Sequence, residues 1–344
     1  MSTLSGLYGR VARARRAWYQ QADRQLRLSR PVISIGNLVI GGSGKTPVVA
    51  SVAQLLQEAG ERPAILSRGY ARRSKARVVV VNDGTGMAVS ASEAGDEPCM
   101  LARALPDVPL IVCASRYEAG RVAEARFGAT VHLLDDGFQH IRLARDIDLL
   151  LVSSADLDEA VLPSGRLREP LDAARGADAL LVPGTAEDAA RVGGVLGVPT
   201  TFSLTPSRGT LRVLAPFANA PSSARGTRVI AVAGIARPVR FFDDLRVDGF
   251  DVVQSFAFRD HHWFTARDVQ VAGDAALALG AAGIVTTEKD AVRLEPLLER
   301  AASLGSLPWA SVPYSVRVEP ADAFRTWLLD RLAHVRRGAS VGAM

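Results

Sequence analysis

Two cysteines, Cys99 and Cys113, are all that the 344 residues hold, and they are too far apart for a CxxC pair. That excludes a disulfide framework and a zinc ribbon, and it fits a reducing cytoplasm. No apolar run reaches the ~18 residues of a membrane-spanning helix, and no secretory leader opens the chain. Internal repeats and low-complexity tracts are missing as well. Lysine is the scarcest cation: of 41 basic residues only Lys45, Lys75 and Lys289 are lysines. A chain that writes its cations as arginine keeps lysine where a compact ammonium is needed.

What is present is a globular composition, 48% hydrophobic and 22% charged, long enough for two domains. The net charge of +5 is local. Residues 1–30 carry seven arginines against the single acid Asp23, and the rest of the chain is close to neutral, which argues against a broad nucleic-acid-binding face. On a helix over 4–28, Leu4, Leu7, Tyr8, Val11, Ala14, Trp18, Ala22 and Leu26 share one face. Arg13, Arg16, Arg24 and Arg27 point the other way. Such a helix suits an anionic lipid interface; the competing reading is a helix docked on the protein's own core with a solvated basic face.

Residues 31–47 read PVISIGNLVIGGSGKTP. An apolar β-branched run, a glycine turn, Lys45-Thr46 and a helical pattern from Val48 to Leu56 follow one another. In that order Val39, Ile40, Gly41, Gly42, Ser43, Gly44, Lys45 and Thr46 form a loop whose backbone N–H groups cradle a polyphosphate. Lys45 reaches the β/γ-phosphates and the Thr46 hydroxyl binds Mg²⁺. Val39 stands where the P-loop pattern has its first glycine; the competing reading is an ordinary glycine-rich turn.

Strands and helices alternate beyond the loop, with a hairpin expected around 82–84 and a helix over 93–105. The expected fold is α/β: a P-loop NTPase-like, doubly wound, mostly parallel sheet with an N-terminal amphipathic helix and a second, smaller α/β domain. The boundaries are 1–30, 31–205 and 206–344, with a strand over 312–318 in the last unit and the final helix free to pack back on the first.

Four segments carry further chemistry. Val131 to Asp136 has the form of an apolar strand ending in metal-binding acids. Asp96-Glu97 opens a helix, either as capping acids or as a base and a metal ligand. His261, after Asp260 in a loop, is an acid/base candidate. Lys289 follows a strand, where it meets phosphate or forms a surface pair. No N-K-x-D guanine motif occurs, which favours ATP over GTP. A lipid kinase, a membrane-recruited ATPase switch acting on a protein partner, and a soluble metabolite kinase all stay open on these residues.

Taken together, GNLVIGGSGKTPV, SRGYARR, AGDEP, LLDDGFQHIRLARDIDLLLV, LPSGRLREP, AGIARPVRFFDDL, FRDHHWF and TTEKDAVR resemble the tetraacyldisaccharide 4′-kinase family of lipid A biosynthesis, nearly end to end. That family's loop also lacks the first glycine; this N-terminus is shorter and less apolar than the family's. The resemblance implies transfer of the γ-phosphate of ATP, with Mg²⁺, to the 4′-hydroxyl of a membrane-embedded acylated disaccharide phosphate at the cytoplasmic face of the bacterial inner membrane. It implies Asp96 as base working with His261, and Lys45 on the transferred phosphoryl group. Thr46, Glu97, Asp135 and Asp136 are implied as metal ligands or their supports. Tyr70, Arg116, Arg168 and Glu169 are placed near the acceptor or the phosphates.

Overall fold

A computed structural model describes residues 3–41, 44–223, 225–300 and 307–341. In chain order come α1 (Thr3–Tyr19), β1 (Val32–Asn37), α2 (Lys45–Glu58), β2 (Pro63–Ser67), β3 (Val78–Asn82), α3 (Ala91–Ala94), α4 (Asp96–Ala104), β4 (Leu110–Cys113), α5 (Arg116–Phe127), β5 (Val131–Asp135) and β6 (Ile147–Leu151). There follow β7 (Ala179–Pro183), α6 (Ala186–Leu196), β8 (Thr201–Arg208), β9 (Arg212–Val213), β10 (Arg228–Ala233), α7 (Pro238–Val247), β11 (Asp251–Ala257) and α8 (Ala266–Ala278). The last elements are β12 (Gly283–Thr287), α9 (Glu288–Arg300), β13 (Trp309–Val312), β14 (Tyr314–Glu319) and α10 (Ala321–Val341).

The larger sheet has nine strands in the order β14-β8-β7-β6-β1-β5-β2-β4-β3. From β8 to β4 all neighbours are parallel; β3 and β14 close the edges antiparallel. Strand β1 is buried throughout because β5 and β6 flank it and helices cover both faces. Ile33 and Ile35 pack with α2 and α10, and Val32 with α5. The second sheet, β11-β10-β12-β13-β9, is parallel except for its short edge β9. The segment after β11 and the start of α9 after β12 bring His261 and Lys289 against Asp96 at the start of α4. The doubly wound α/β arrangement is the one expected.

Several local expectations are corrected. The N-terminal helix stops at Tyr19 rather than running to 28: Leu26 is extended and bonds both Arg142 and Ala144 through its backbone, while Arg24 folds back over the Trp18 ring. Residues 77–90 do not form a full hairpin; past β3 only Asn82 and Met87 bridge. The helix over 93–105 is broken at Gly95 into α3 and α4. The strand expected over 312–318 is two strands in different sheets. Pro313, which has no N–H for a ladder, separates β13 from β14, and β14 then pairs with β8 of the larger sheet. Helix α10 follows it there, burying Phe324, Leu328 and Leu332 against that core.

Candidate active site

On the larger-sheet side, Gly44 adopts a left-handed φ of 76° and α2 begins at Lys45. The Lys45 ammonium lies 3.1 Å from Asn37 Oδ1 and 3.5 Å from Asp136 Oδ1. Thr46 is buried on the first turn of α2. Val39 fills its unusual place by packing: it is buried, bridges Leu167, and is followed by an Ile40 N–H bond of 2.9 Å to the Arg166 carbonyl. Gly41 has φ 99°, a conformation that side chains resist. Gly42 and Ser43 lie outside the described residues.

Asp135 ends β5 beside Lys45 and accepts a 3.0 Å bond from Ser67 Oγ. Burial, reinforced by the charges of Glu97 and Asp136, pushes its carboxyl up to about 7. Asp136 follows with φ 54°, strained for a residue with a Cβ. Its two oxygens each accept a 2.8 Å bond from Arg168, which also reaches the carbonyl and the amide oxygen of Asn37. Burial raises its carboxyl, but the Arg168 hydrogen bonds and the Lys45 charge outweigh that and hold it at about 2. These two neighbouring acids thus shift in opposite directions, Asp136 down through Arg168 and Lys45 and Asp135 up through burial.

Facing them, Gly95 (φ 96°) places Asp96 as the first residue of α4; a Cβ on Gly95 would meet the Tyr70 carbonyl oxygen at 2.7 Å. Asp96 is buried, and 165 residues on His261 approaches it, Nδ1 to Oδ2 at 2.9 Å. Burial raises the Asp96 carboxyl, but the His261 hydrogen bond and the charges of Lys289 and Arg293 lower it below the usual range. Lys289 opens α9 with its ammonium 3.0 Å from Asp260, 3.6 Å from Glu97 and 3.9 Å from Asp96. Arg293, one turn on, is 3.6 Å from Asp96 and 2.7 Å from the buried Asp290. The exposed Tyr70 ring lies 5.4 Å from that of His261.

The remaining expected positions divide. Arg116, at the start of α5, is buried within electrostatic reach of Asp135 and Asp136. Arg168 serves Asp136 directly. Glu169, next to Arg168, accepts from Arg16 of α1, Nε to Oε2 at 2.6 Å. This corrects Arg16, expected on a solvated face: it is buried, also bonds the Phe138 carbonyl, and stacks on the Phe138 ring at 4.3 Å. Arg13 likewise bonds Asp172. The helix therefore docks through its arginines and leaves Leu4, Leu7, Val11 and Trp18 each more than half exposed.

Asn37, Ser67 and Arg293 were not singled out from the sequence. Asn37 reads as part of the glycine turn after the strand, and only pairing in space shows that it braces Lys45 and Arg168. The signal for Arg293 was present: Thr287 and Asp290 form the reciprocal cap of α9, with bonds of 2.7 and 3.1 Å, and Arg293 follows Asp290 by one turn.

A glycine loop with lysine at a helix N-terminus, acids at the neighbouring strand end and a carboxylate–imidazole pair across a cleft define a P-loop kinase of the α/β class. A family model described as tetraacyldisaccharide-1-P 4′-kinase matches residues 1–333. The tetraacyldisaccharide 4′-kinase of Koribacter versatilis is 40% identical over 330 residues, covering 94% of this chain and 96% of its own. That of Geobacter metallireducens is 40% identical over 310 residues, covering 87% and 89%. The crystal structure of LpxK from Aquifex aeolicus in complex with ATP aligns at a TM-score of 0.76 and 32% identity, covering 96% of this chain and 97% of that one. The chain belongs to the tetraacyldisaccharide-1-P 4′-kinase family of ATP-dependent kinases.

Proposed function

We propose that this chain transfers the γ-phosphate of ATP to the 4′-hydroxyl of a tetraacyldisaccharide 1-phosphate, with the transfer taking place between Lys45 and Asp96. Asp96 takes the hydroxyl proton as the oxygen attacks. His261 orients that carboxylate, and Lys45, steadied by Asn37, neutralises the moving phosphoryl group. Such a reaction asks for positioning and charge neutralisation rather than covalent catalysis. Joining Asp96 and His261 from opposite sides of the cleft ties the chemistry to closure and keeps water from the phosphate.

Thr46, Asp135 and Asp136 are the residues that would hold Mg²⁺, which when bound supplies charge neutralisation on the phosphate oxygens. Among the described residues no three His, Cys, Asp or Glu side chains form a cage. Magnesium needs none, since it takes one or two carboxylates plus phosphate and water. The raised Asp135 carboxyl fits, because a divalent cation would favour its ionised form. Arg116 and Tyr70 line the approach for the acceptor, and Glu97 stays with Lys289.

No described helix is long and apolar enough to cross a membrane. Attachment to the cytoplasmic face of the inner membrane through the outward apolar face of α1 fits its docking by Arg13 and Arg16. A membrane-recruited ATPase switch would not need the Asp96–His261 pair, and that pair carries the kinase reading. Labelled ATP and a lipid extract test it. Label enters the glycolipid with the parent chain, and Asp96→Asn lowers transfer by about 10²–10⁴-fold while ATP still binds. Release of label only as free phosphate would favour the switch; unchanged transfer would remove Asp96 from the mechanism.

A further inference from the structure

Lys289 is the second residue of α9, and its ammonium touches more than carboxylates: Nζ also lies 3.3 Å from His261 Nε2. A lysine ammonium only donates hydrogen bonds. Nε2 must therefore accept, its lone pair facing Lys289, and the imidazole proton sits on Nδ1, which donates to Asp96 Oδ2 at 2.9 Å. We infer that Lys289 keeps His261 in this singly protonated Nδ1–H form, blocking a second proton at Nε2, and so is a positioning residue for the base.

The groups around the ring make the need plain. Asp96 faces one nitrogen; Asp260, in the imidazole's own loop, has Oδ2 3.8 Å from the other. Both ring nitrogens thus lie toward a carboxylate. Lys289 occupies the Asp260 side, 3.0 Å from Oδ1, and so satisfies that carboxylate itself. Arg293 from the same helix lies 3.6 Å from Asp96, and the Tyr70 ring covers part of the imidazole from the other side of the cleft.

One residue sets both partners in place. Asp290 caps α9 through Thr287, which aims Lys289, and it accepts a 2.9 Å bond from Gly234 N–H. The Gly234 carbonyl in turn receives the His261 N–H at 3.2 Å, holding His261 at φ 60°. Arg293 ties the same loop down by a 2.8 Å bond to the His262 carbonyl.

The consequence rests on the reading of Asp96 as base. In the transfer the acceptor O–H bond breaks as its oxygen bonds phosphorus, the bond from phosphorus to the ADP oxygen breaks, and the proton passes to Asp96. His261 neither gains nor loses a proton. A neutral donor orients Asp96 and leaves it basic, whereas an imidazolium would bind the carboxylate as an ion pair and weaken it as a base.

The test is imidazole ¹⁵N NMR at pH 7 on the full chain without substrate, read beside kcat and KM. The parent shows His261 as Nδ1–H. Lys289→Met shows a doubly protonated His261, and kcat drops about 10- to 100-fold, the cost of losing the partner that holds a functional imidazole, while KM for ATP stays within about twofold. Lys289→Arg, still a pure donor, retains the Nδ1–H form and most of kcat. An Nε2–H or doubly protonated ring in the parent overturns the inference even if the methionine variant fails to fold. So does a singly protonated ring in Lys289→Met, or an unchanged kcat. A failure of Asp96 itself shows separately, in Asp96→Asn, because the NMR reading needs no turnover.

Discussion

Arg16 and Glu169 meet through two bonds, Nε to Oε2 at 2.6 Å and Nη2 to Oε1 at 2.9 Å, with both side chains almost wholly buried. This pair fastens α1 to the segment whose preceding residue, Arg168, grips Asp136. Removing one partner strands the other as a buried charge. Arg16→Met should cost about 3–5 kcal/mol of stability, and adding Glu169→Gln should recover much of it. Urea denaturation of the two variants checks this; equal losses in both would show that the pair is not the clamp.

Arg168 presents two parallel donors to Asp136, which a lysine cannot do. Arg168→Lys should forfeit a charge-assisted bond of about 1.5–3 kcal/mol, a loss of roughly 10- to 100-fold in kcat/KM. Steady-state kinetics at saturating lipid measures it, and a variant as active as the parent would place Asp136 outside the transfer.

The outward face of α1 can be tested without touching the centre. Trp18→Asp and Leu7→Asp remove apolar surface worth about 1.5–3 kcal/mol per side chain if it enters lipid. Flotation with anionic liposomes should weaken sharply while thermal stability in solution changes little, since both residues are exposed. Undiminished flotation would assign the contact to another surface.

His140 gives a pH signature. Burial, followed by the charges of Arg116, Arg145, Arg142 and Arg15, lowers its pKa to about 3 from 6.5. Between those values the unfolded chain binds a proton that the folded one refuses, so stability rises with pH across the window. The slope from this one group is at most about 1.4 kcal/mol per pH unit and vanishes above 6.5 and below about 3. His140→Gln should flatten the stability curve between pH 4 and 6 by up to that amount. Identical slopes in parent and variant would mean that another group carries the dependence.

Local chemistry was readable wherever the chain itself supplies neighbours. Strand, glycine loop, Lys45 and helix are contiguous, so hydrophobic period and turn residues disclose them; the same holds for the acids ending β5. Two kinds of feature were not readable. The helix over 4–28 was drawn by period alone, and period cannot say which face finds partners. Glu169 reversed the assignment for Arg16 by pulling it inward, and Asp172 pairs Arg13 at the surface. Likewise Pro313 marked a break but not that the chain changes sheets there, because edge pairing with β8 is decided by which strand lies open.

By itself the sequence determined most of the elements, the glycine turn leading into Lys45 and the residue types able to move a proton, since each depends on spacing along one stretch of chain. Only the tertiary structure decided that Asp96, His261 and Lys289 form one hydrogen-bonded line, and that Asn37 and Arg168 brace Lys45 and Asp136. Those relations join strand ends from two sheets, and a hydrogen bond of about 3 Å is set by the packing of whole layers, which no local pattern encodes.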